Sequence, residues 1–309
     1  MQSWLIEGVR FCLWPARRLV VWGHRGQLLR SVAVLAIRPF ATRSQWLRGL
    51  DLVRPMDRPQ LTFAASDSMV MRAVYWYGVQ GYEGILSTLW ERLSARSSSI
   101  LEVGGNVGLY AVLGGSFAQG RYTVLEPLPQ VAEQVRINLG LNNIRGVEVL
   151  QAAAIPMLEE QLVQLNMPEE AAGMPVGAHL VVGSEVNRRS TDQILSVQGL
   201  PFARLAKDRD LIKIDAEGIE AALLESAADE IERARPTLVI EVLPEATHLA
   251  ELLGTLARRI GYRLYAVPAY GSDELVRLDP GAFDSHVPAM HRSKDVILTD
   301  LDLEALLRA

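Results

Sequence analysis

The chain has 309 residues, 49% of them apolar, which is enough to bury a sizeable core in one large domain or one domain with an extension, and rules out a disordered tail. Its single cysteine, Cys12, excludes an intramolecular disulfide and favours a reducing, cytoplasmic compartment; the histidines His24, His179, His248, His286 and His291 lack metal-ligand spacing, so no bound metal is expected. The net charge of −5 hides an asymmetry: residues 1–60 carry ten arginines against Glu7, Asp51 and Asp57, a balance of +7 that leaves −12 for the remainder, and a body that acidic disfavours a nucleic-acid substrate.

In chain order, residues 1–60 form an arm that interleaves Trp4, Trp14, Trp22 and Trp46 with those arginines. It reads as helical, and its apolar runs Leu19 to Trp22 and Val32 to Ile37 are too short to cross a bilayer. Packing on the body, dimerisation and peripheral contact with a lipid headgroup surface all suit this composition; an acid-poor, arginine-rich start also mimics a transit peptide. Residues 61–98 read as a lead-in, with Gln60 to Ala65 and Met69 to Tyr77 strand-like and Ile85 to Leu93 helical, ending in a serine-rich turn.

From residue 99 to 301 the pattern becomes regular. Strands at Ile100 to Val103, Tyr122 to Leu125, Val147 to Leu150, Leu211 to Ile214 and Thr237 to Val242 alternate with helices at Gly108 to Ala118, Gln130 to Leu141, Ile219 to Arg233 and Ala246 to Ile260. Such alternation predicts an α/β fold, a parallel sheet with helices on both faces. The last two strands, Arg263 to Val267 and Asp295 to Thr299, lack an intervening helix, which predicts an antiparallel final strand. Residues 152–210 hold Pro156, Pro168, Pro175 and Pro201 and a short helix over Thr191 to Val197; the segment is long for one crossover and reads as an insertion near the site.

The stretch ILEVGGNVGLY, Ile100 to Tyr110, delivers Glu102 and three glycines to the carboxyl end of the first strand, where open α/β sheets bind ligands. Gly104, Gly105 and Gly108 allow a tight turn and close backbone approach, in the spacing E-x-G-x-x-x-G rather than the dinucleotide pattern G-x-G-x-x-G. Pyrophosphate beside Glu102 is repelled, whereas S-adenosyl-L-methionine has no phosphate and carries an ammonium and a sulfonium that carboxylates favour. Glu126 and Pro127 close the second strand, and a carboxylate there can accept from ribose hydroxyls; the alternative is a solvated acid before a proline turn. Asn106 suits either a ligand carboxylate or a helix N-cap.

Together with VLEPLPQVAEQVRINLGLNN, LIKIDAEGIEAALLESA and RPTLVIEV, this stretch resembles the FkbM-type S-adenosylmethionine-dependent methyltransferases over about Tyr75 to Val296, and YWYGVQGYE resembles their lead-in. Lys213, Asp215, Glu217, Gly218 and Glu220 coincide with the most specific motif, while Glu102 stands for the usual aspartate and Gly105 for the usual alanine. The resemblance implies a Rossmann-like class I methyltransferase fold, seven-stranded and mostly parallel with an antiparallel last strand, here with a helical N-terminal extension. It also implies methyl transfer to a hydroxyl of a sugar, glycan or polyketide-like small molecule. The Asp-Ala-Glu-Gly strand end lacks the Pro-Pro-Tyr signature of amino-methylating enzymes.

At such a site the protein must align the acceptor oxygen and receive its proton. Asp215 is expected to meet the methionine moiety or the acceptor, and Glu217 to position the acceptor. Lys213 is expected to pair with Asp215, and Glu220 to sit in a first helical turn. His286 and His291, before the last strand, are candidate bases beside the plain reading of solvated loop histidines, with His179 a third. Two rivals stand against this assignment: an NAD-dependent dehydrogenase on a Rossmann-like fold, and a non-catalytic module that docks a membrane or partner through the arm.

Overall fold

The computed structural model describes residues 2–22, 27–41, 47, 49–167, 179–180, 193–243, 246–267, 272–281 and 295–308. Two helices, α1 (Gln2–Trp22) and α2 (Gln27–Ala41), precede a small antiparallel pair, β1 (Leu52–Val53) and β2 (Phe63–Ala64). Among the described residues no helix is long and apolar enough to cross a membrane.

Met69 to Tyr77, expected as a strand, lies in helix α3 (Met69–Glu83). Its Val, Tyr and Trp content suits a strand, but the Ser68 hydroxyl accepts the Met71 amide as an N-cap, and Val70, Met71, Val74 and Trp76 are buried. The helix is kinked at Gly78, whose φ of +77° is left-handed. There the amides of Val79 and Gln80 turn to the Asp57 carboxylate at 3.0 and 2.6 Å, so the Tyr75 carbonyl loses its i+4 donor. The buried Arg17 guanidinium supplies the replacement, at 2.5 and 3.1 Å, and lies 3.7 Å from the Tyr75 ring centre. The Tyr75 carbonyl is thus satisfied across the kink, and α1 is tied to α3. Val20, Ala33, Ile37 and Ala41 close over Trp76.

After α4 (Ile85–Ser94) comes the alternating region: β3 (Ser99–Val103), α5 (Leu109–Gly115), β4 (Arg121–Leu125), α6 (Pro129–Leu141) and β5 (Val147–Leu150). There follow β6 (Ala153–Ile155), β7 (Gln161–Met167), β8 (His179–Leu180), β9 (Gln193–Pro201), α7 (Phe202–Ala206) and β10 (Leu211–Ile214). The chain ends with α8 (Glu220–Ser226), α9 (Ala228–Ala234), β11 (Thr237–Glu241), α10 (Thr247–Ile260), β12 (Arg263–Val267), β13 (Val276–Leu278), β14 (Asp295–Thr299) and α11 (Leu303–Arg308).

The main sheet runs β13-β12-β14-β11-β10-β3-β4-β5. Its parallel strands are β5, β4, β3, β10 and β11, and β14 inserts antiparallel between β11 and β12, as expected of the last strand. To the seven expected strands the structure adds β13, a short edge strand hairpinned on β12. Strand alternation divides the core: Ile100, Tyr122, Val124 and Leu211 face α3, α4 and α5, while Leu101, Val103, Leu125 and Ile212 face α8 and α10.

Residues 193–197, expected within a short helix, lie in strand β9, which pairs with all of β7 from Gln161 opposite Gly199 to Met167 opposite Gln193. Buried Val197, Gly199 and Pro201 alternate with exposed Ser196 and Gln198, a period of two that excludes a helix; Thr191 and Asp192 lie outside the described residues. β6, β9, β7 and β8 form a second sheet packed on Leu128 and Val131 at the start of α6.

Candidate functional site

The glycine loop after β3 is held from two sides. Gly104 has φ of +86°, and a Cβ there would run into the Asp215 carbonyl oxygen, so glycine is required on both counts. The Glu126 carboxylate, at the end of β4, accepts the Asn106 amide at 2.9 Å and the Leu128 amide at 3.0 Å. This ties the two loops together and leaves acceptor positions on the same oxygens, since a carboxylate offers about four. Burial pushes the Glu126 carboxyl up to about 7, opposed by those two amides. Asn106 sits at φ of +46°, a conformation asparagine tolerates, and its Oδ1 accepts the Val107 amide; the N-cap of α5 is Gly108, not Asn106.

Beneath the loop lies a buried polar cluster. Glu102 is 1% exposed and accepts the Tyr122 hydroxyl at 2.6 Å. Burial lifts its carboxyl to about 7, against the pull of Lys213, its neighbour on β10, and of Tyr122. Lys213 is equally buried; its Nζ bonds Asp215 Oδ2 at 2.8 Å and stands 4.7 Å from the Tyr110 ring centre. The Tyr110 hydroxyl donates to Glu83 Oε2 at 2.7 Å. Burial raises both tyrosine hydroxyls well above their usual range, so they remain protonated donors.

Asp215 leaves the end of β10 with a quarter of its side chain exposed, its amide bonded to the Val103 carbonyl. The following turn puts Glu217 at φ of +54° on the surface. Glu220 is buried and closes this turn: its carboxylate accepts the Ala216 amide at 2.9 Å and the Gly218 amide at 3.1 Å. On the opposite side of the sheet edge from the polar cluster, a shallow open cleft is lined by Val103, Gly104, Leu125, Pro127, Ala152, Ala153, Ala154, Leu165, Ala216 and Ile219. Its small apolar walls suit a flat heterocycle. Among the described residues no three histidine, cysteine or carboxylate side chains are grouped as metal ligands.

A Methyltransferase FkbM domain model matches residues 102–264, just over half the chain and the whole of this loop and cleft. The chain belongs to the FkbM methyltransferase family. Curated protein sequences give no match. Among solved structures, methyltransferase FkbM from Methylobacillus flagellatus is 11% identical, over 94% of this chain and 60% of that one, with a TM-score of 0.40. A precorrin-6y C5,15-methyltransferase from Geobacter metallireducens is 12% identical, over 69% of this chain and 85% of that one, at 0.36. A ribosomal protein L11 methylase from Lactobacillus delbrueckii is 10% identical, over 69% and 78%, at 0.37.

In this FkbM methyltransferase the expected residues Glu102, Gly104, Gly105, Asn106, Gly108, Glu126, Pro127 and Asp215 all meet at the carboxyl ends of β3, β4 and β10, with Glu217 on the adjoining turn. Glu102 lies a layer below the loop rather than on its surface. His286 and His291 lie outside the described residues. Sequence reasoning missed the supports Tyr110, Tyr122 and Glu83 and the cleft residues from Ala152 to Ala154 and Leu165. For Glu83 a signal existed, since YWYGVQGYE ends on it; short apolar side chains have none.

Proposed function

We propose that this methyltransferase uses S-adenosyl-L-methionine to methylate a hydroxyl of a sugar, glycan or polyketide-like small molecule. The observation that carries the cofactor is the gathering of Glu102, Glu126 and Asp215 around one glycine loop, near enough that the Asp215 charge adds to the burial that raises the proton affinity of both glutamates. The neighbouring cation, Lys213, is bonded to Asp215. Such a site favours a cationic ligand and disfavours pyrophosphate.

The residues present fit the group. The apolar cleft between Leu125, Pro127, Ala153 and Leu165 would take the adenine, Glu126 the ribose hydroxyls, and Asp215 with the Gly104 turn the methionine end. When bound, S-adenosylmethionine supplies an electrophilic methyl group on its sulfonium. The chain's own part is to hold the acceptor in line and take its proton. Lys213 bonds Asp215 at the strand end, and Glu217, exposed on the next turn, would orient the acceptor hydroxyl.

Calorimetric titration of the full chain with S-adenosylmethionine and with NAD tests the cofactor; binding of NAD alone overturns it. Labelled methyl donor offered with hydroxylated acceptors tests the reaction. Label that survives mild alkali and resides on oxygen is an ether, the expected product, whereas label lost to alkali or carried on nitrogen refutes hydroxyl methylation.

A further inference from the structure

The helices α1 and α2 present a face that neither the cleft nor the core accounts for. The inner side of α1 is spent on α3 through Leu13, Ala16, Arg17 and Val20, spaced three and four apart. The side turned away from these exposes Phe11 at 82%, Trp14 at 47% and Leu19 at 43%, and α2 adds Leu35 at 65%. A single exposed leucine needs no explanation, but three large apolar side chains on the outer side of one helix, with a fourth exposed on its neighbour, call for one. The two helices carry Arg10, Arg17, Arg18, Arg30 and Arg38 against one acid, Glu7. The Arg18 guanidinium lies 4.8 Å from the Trp14 ring centre, an aromatic ring with its cation alongside.

We propose that this face docks the protein on a bilayer containing anionic phospholipid. Apolar side chains at headgroup depth with arginines beside them match the two layers of such an interface. Charge chooses the occupant. Residues 1–60 hold +7 and the rest of the chain −12, so an anionic surface attracts this end alone and repels the body, which orients the molecule. A second copy of the chain, meeting face to face, would set arginines against the same arginines.

Cys12 is the chain's sole cysteine and is exposed on α1 next to Phe11, so an environment-sensitive fluorophore there reports on the approach of this helix to a bilayer. The labelled full chain is mixed with phosphatidylcholine vesicles, with or without phosphatidylglycerol. A blue shift with the anionic vesicles only, reversed by salt, is expected. At roughly 1 kcal/mol per basic residue at the surface, Arg18→Ala with Arg38→Ala should weaken binding about thirtyfold. Phe11→Glu should weaken it too, with methyl transfer unchanged. The salt reversal and the fluorophore shift need no variant, so they stand even if a variant misfolds. Equal shifts with both vesicle types, or pelleting with vesicles without a shift at Cys12, would overturn the proposal. So would a concentration-dependent dimer that Phe11→Glu dissociates while vesicles bind nothing, which assigns the face to a second copy.

Discussion

The family resemblance leads one to expect alanine where this chain has Gly105, and the structure sets Val124 against that side chain. A Cβ built on Gly105 lies 2.5 Å from Val124 Cγ1, with Val135 Cγ2 at 3.6 Å and Glu126 Cβ at 3.7 Å, so only the valine methyl stands in its way. Gly105 is not among the positive-φ residues, so its backbone accepts alanine. Gly105→Ala should gain about 0.4–1 kcal/mol from the unfolded chain and lose about 1–3 kcal/mol to overpacking, a net loss of about 1 kcal/mol. Val124→Ala removes two buried methylenes' worth of carbon and should cost about 2 kcal/mol with its cavity. In the double variant the alanine methyl occupies space the valine gave up, so the pair should be about 1–2 kcal/mol more stable than the sum of the singles, a coupling within the range for contacting residues. Urea denaturation of the four proteins measures it, provided the m-value holds. Additivity within about 0.4 kcal/mol would refute the claim that these two side chains compete for one space.

Asp215→Ala should abolish product formation and, by taking a partner from the buried Lys213 cation, also lower the melting temperature, whereas Asp215→Asn keeps an acceptor for Lys213 and should lose activity with a smaller drop; turnover at the parent rate in either variant would remove Asp215 from the site. The buried carboxyls give a signed pH dependence. Glu102 and Glu126 move from 4.5 unfolded to about 7 folded, so the native state holds the extra protons between those values and stability falls as pH rises through that window, then levels. Glu126→Gln should remove roughly 2 kcal/mol of that fall between pH 5 and 7.5, at 1.36 kcal/mol per unit; parallel stability curves for parent and variant would exclude it. Affinity for S-adenosylmethionine should weaken below pH 7, where these groups lose the charge that attracts a cation. Finally, Arg17→Ala leaves the Tyr75 carbonyl without its donor and should loosen α1 by roughly 2–3 kcal/mol, read as faster limited proteolysis of α1 and α2; unchanged cleavage would refute the anchor.

The strands of the parallel sheet were legible because each is a short apolar run, buried on both faces and bounded by turn residues, and the runs near Ile100, Tyr122 and Leu211 fall within a residue of their observed bounds. Met69 to Tyr77 misled because its β-branched and aromatic residues favour a strand in isolation, while a serine cap, a glycine kink and the Trp76 pocket made it helical. Residues 193–197 misled because a strand's partner is remote: β9 is defined by β7, about thirty residues earlier, and nothing local announces that pairing.

By itself the sequence determined the α/β class, the order of the motifs and the acidic, glycine-rich loop, because those depend on residue type and local spacing. Only the tertiary structure decided what each acid touches. Glu126 clasps two backbone amides, Glu102 is buried under Tyr122 and Glu220 seals a turn, whereas the Lys213–Asp215 pair already followed from strand alternation. Burial and the neighbour across the sheet set a carboxylate's partner and proton affinity, and both come from segments tens of residues away in the chain.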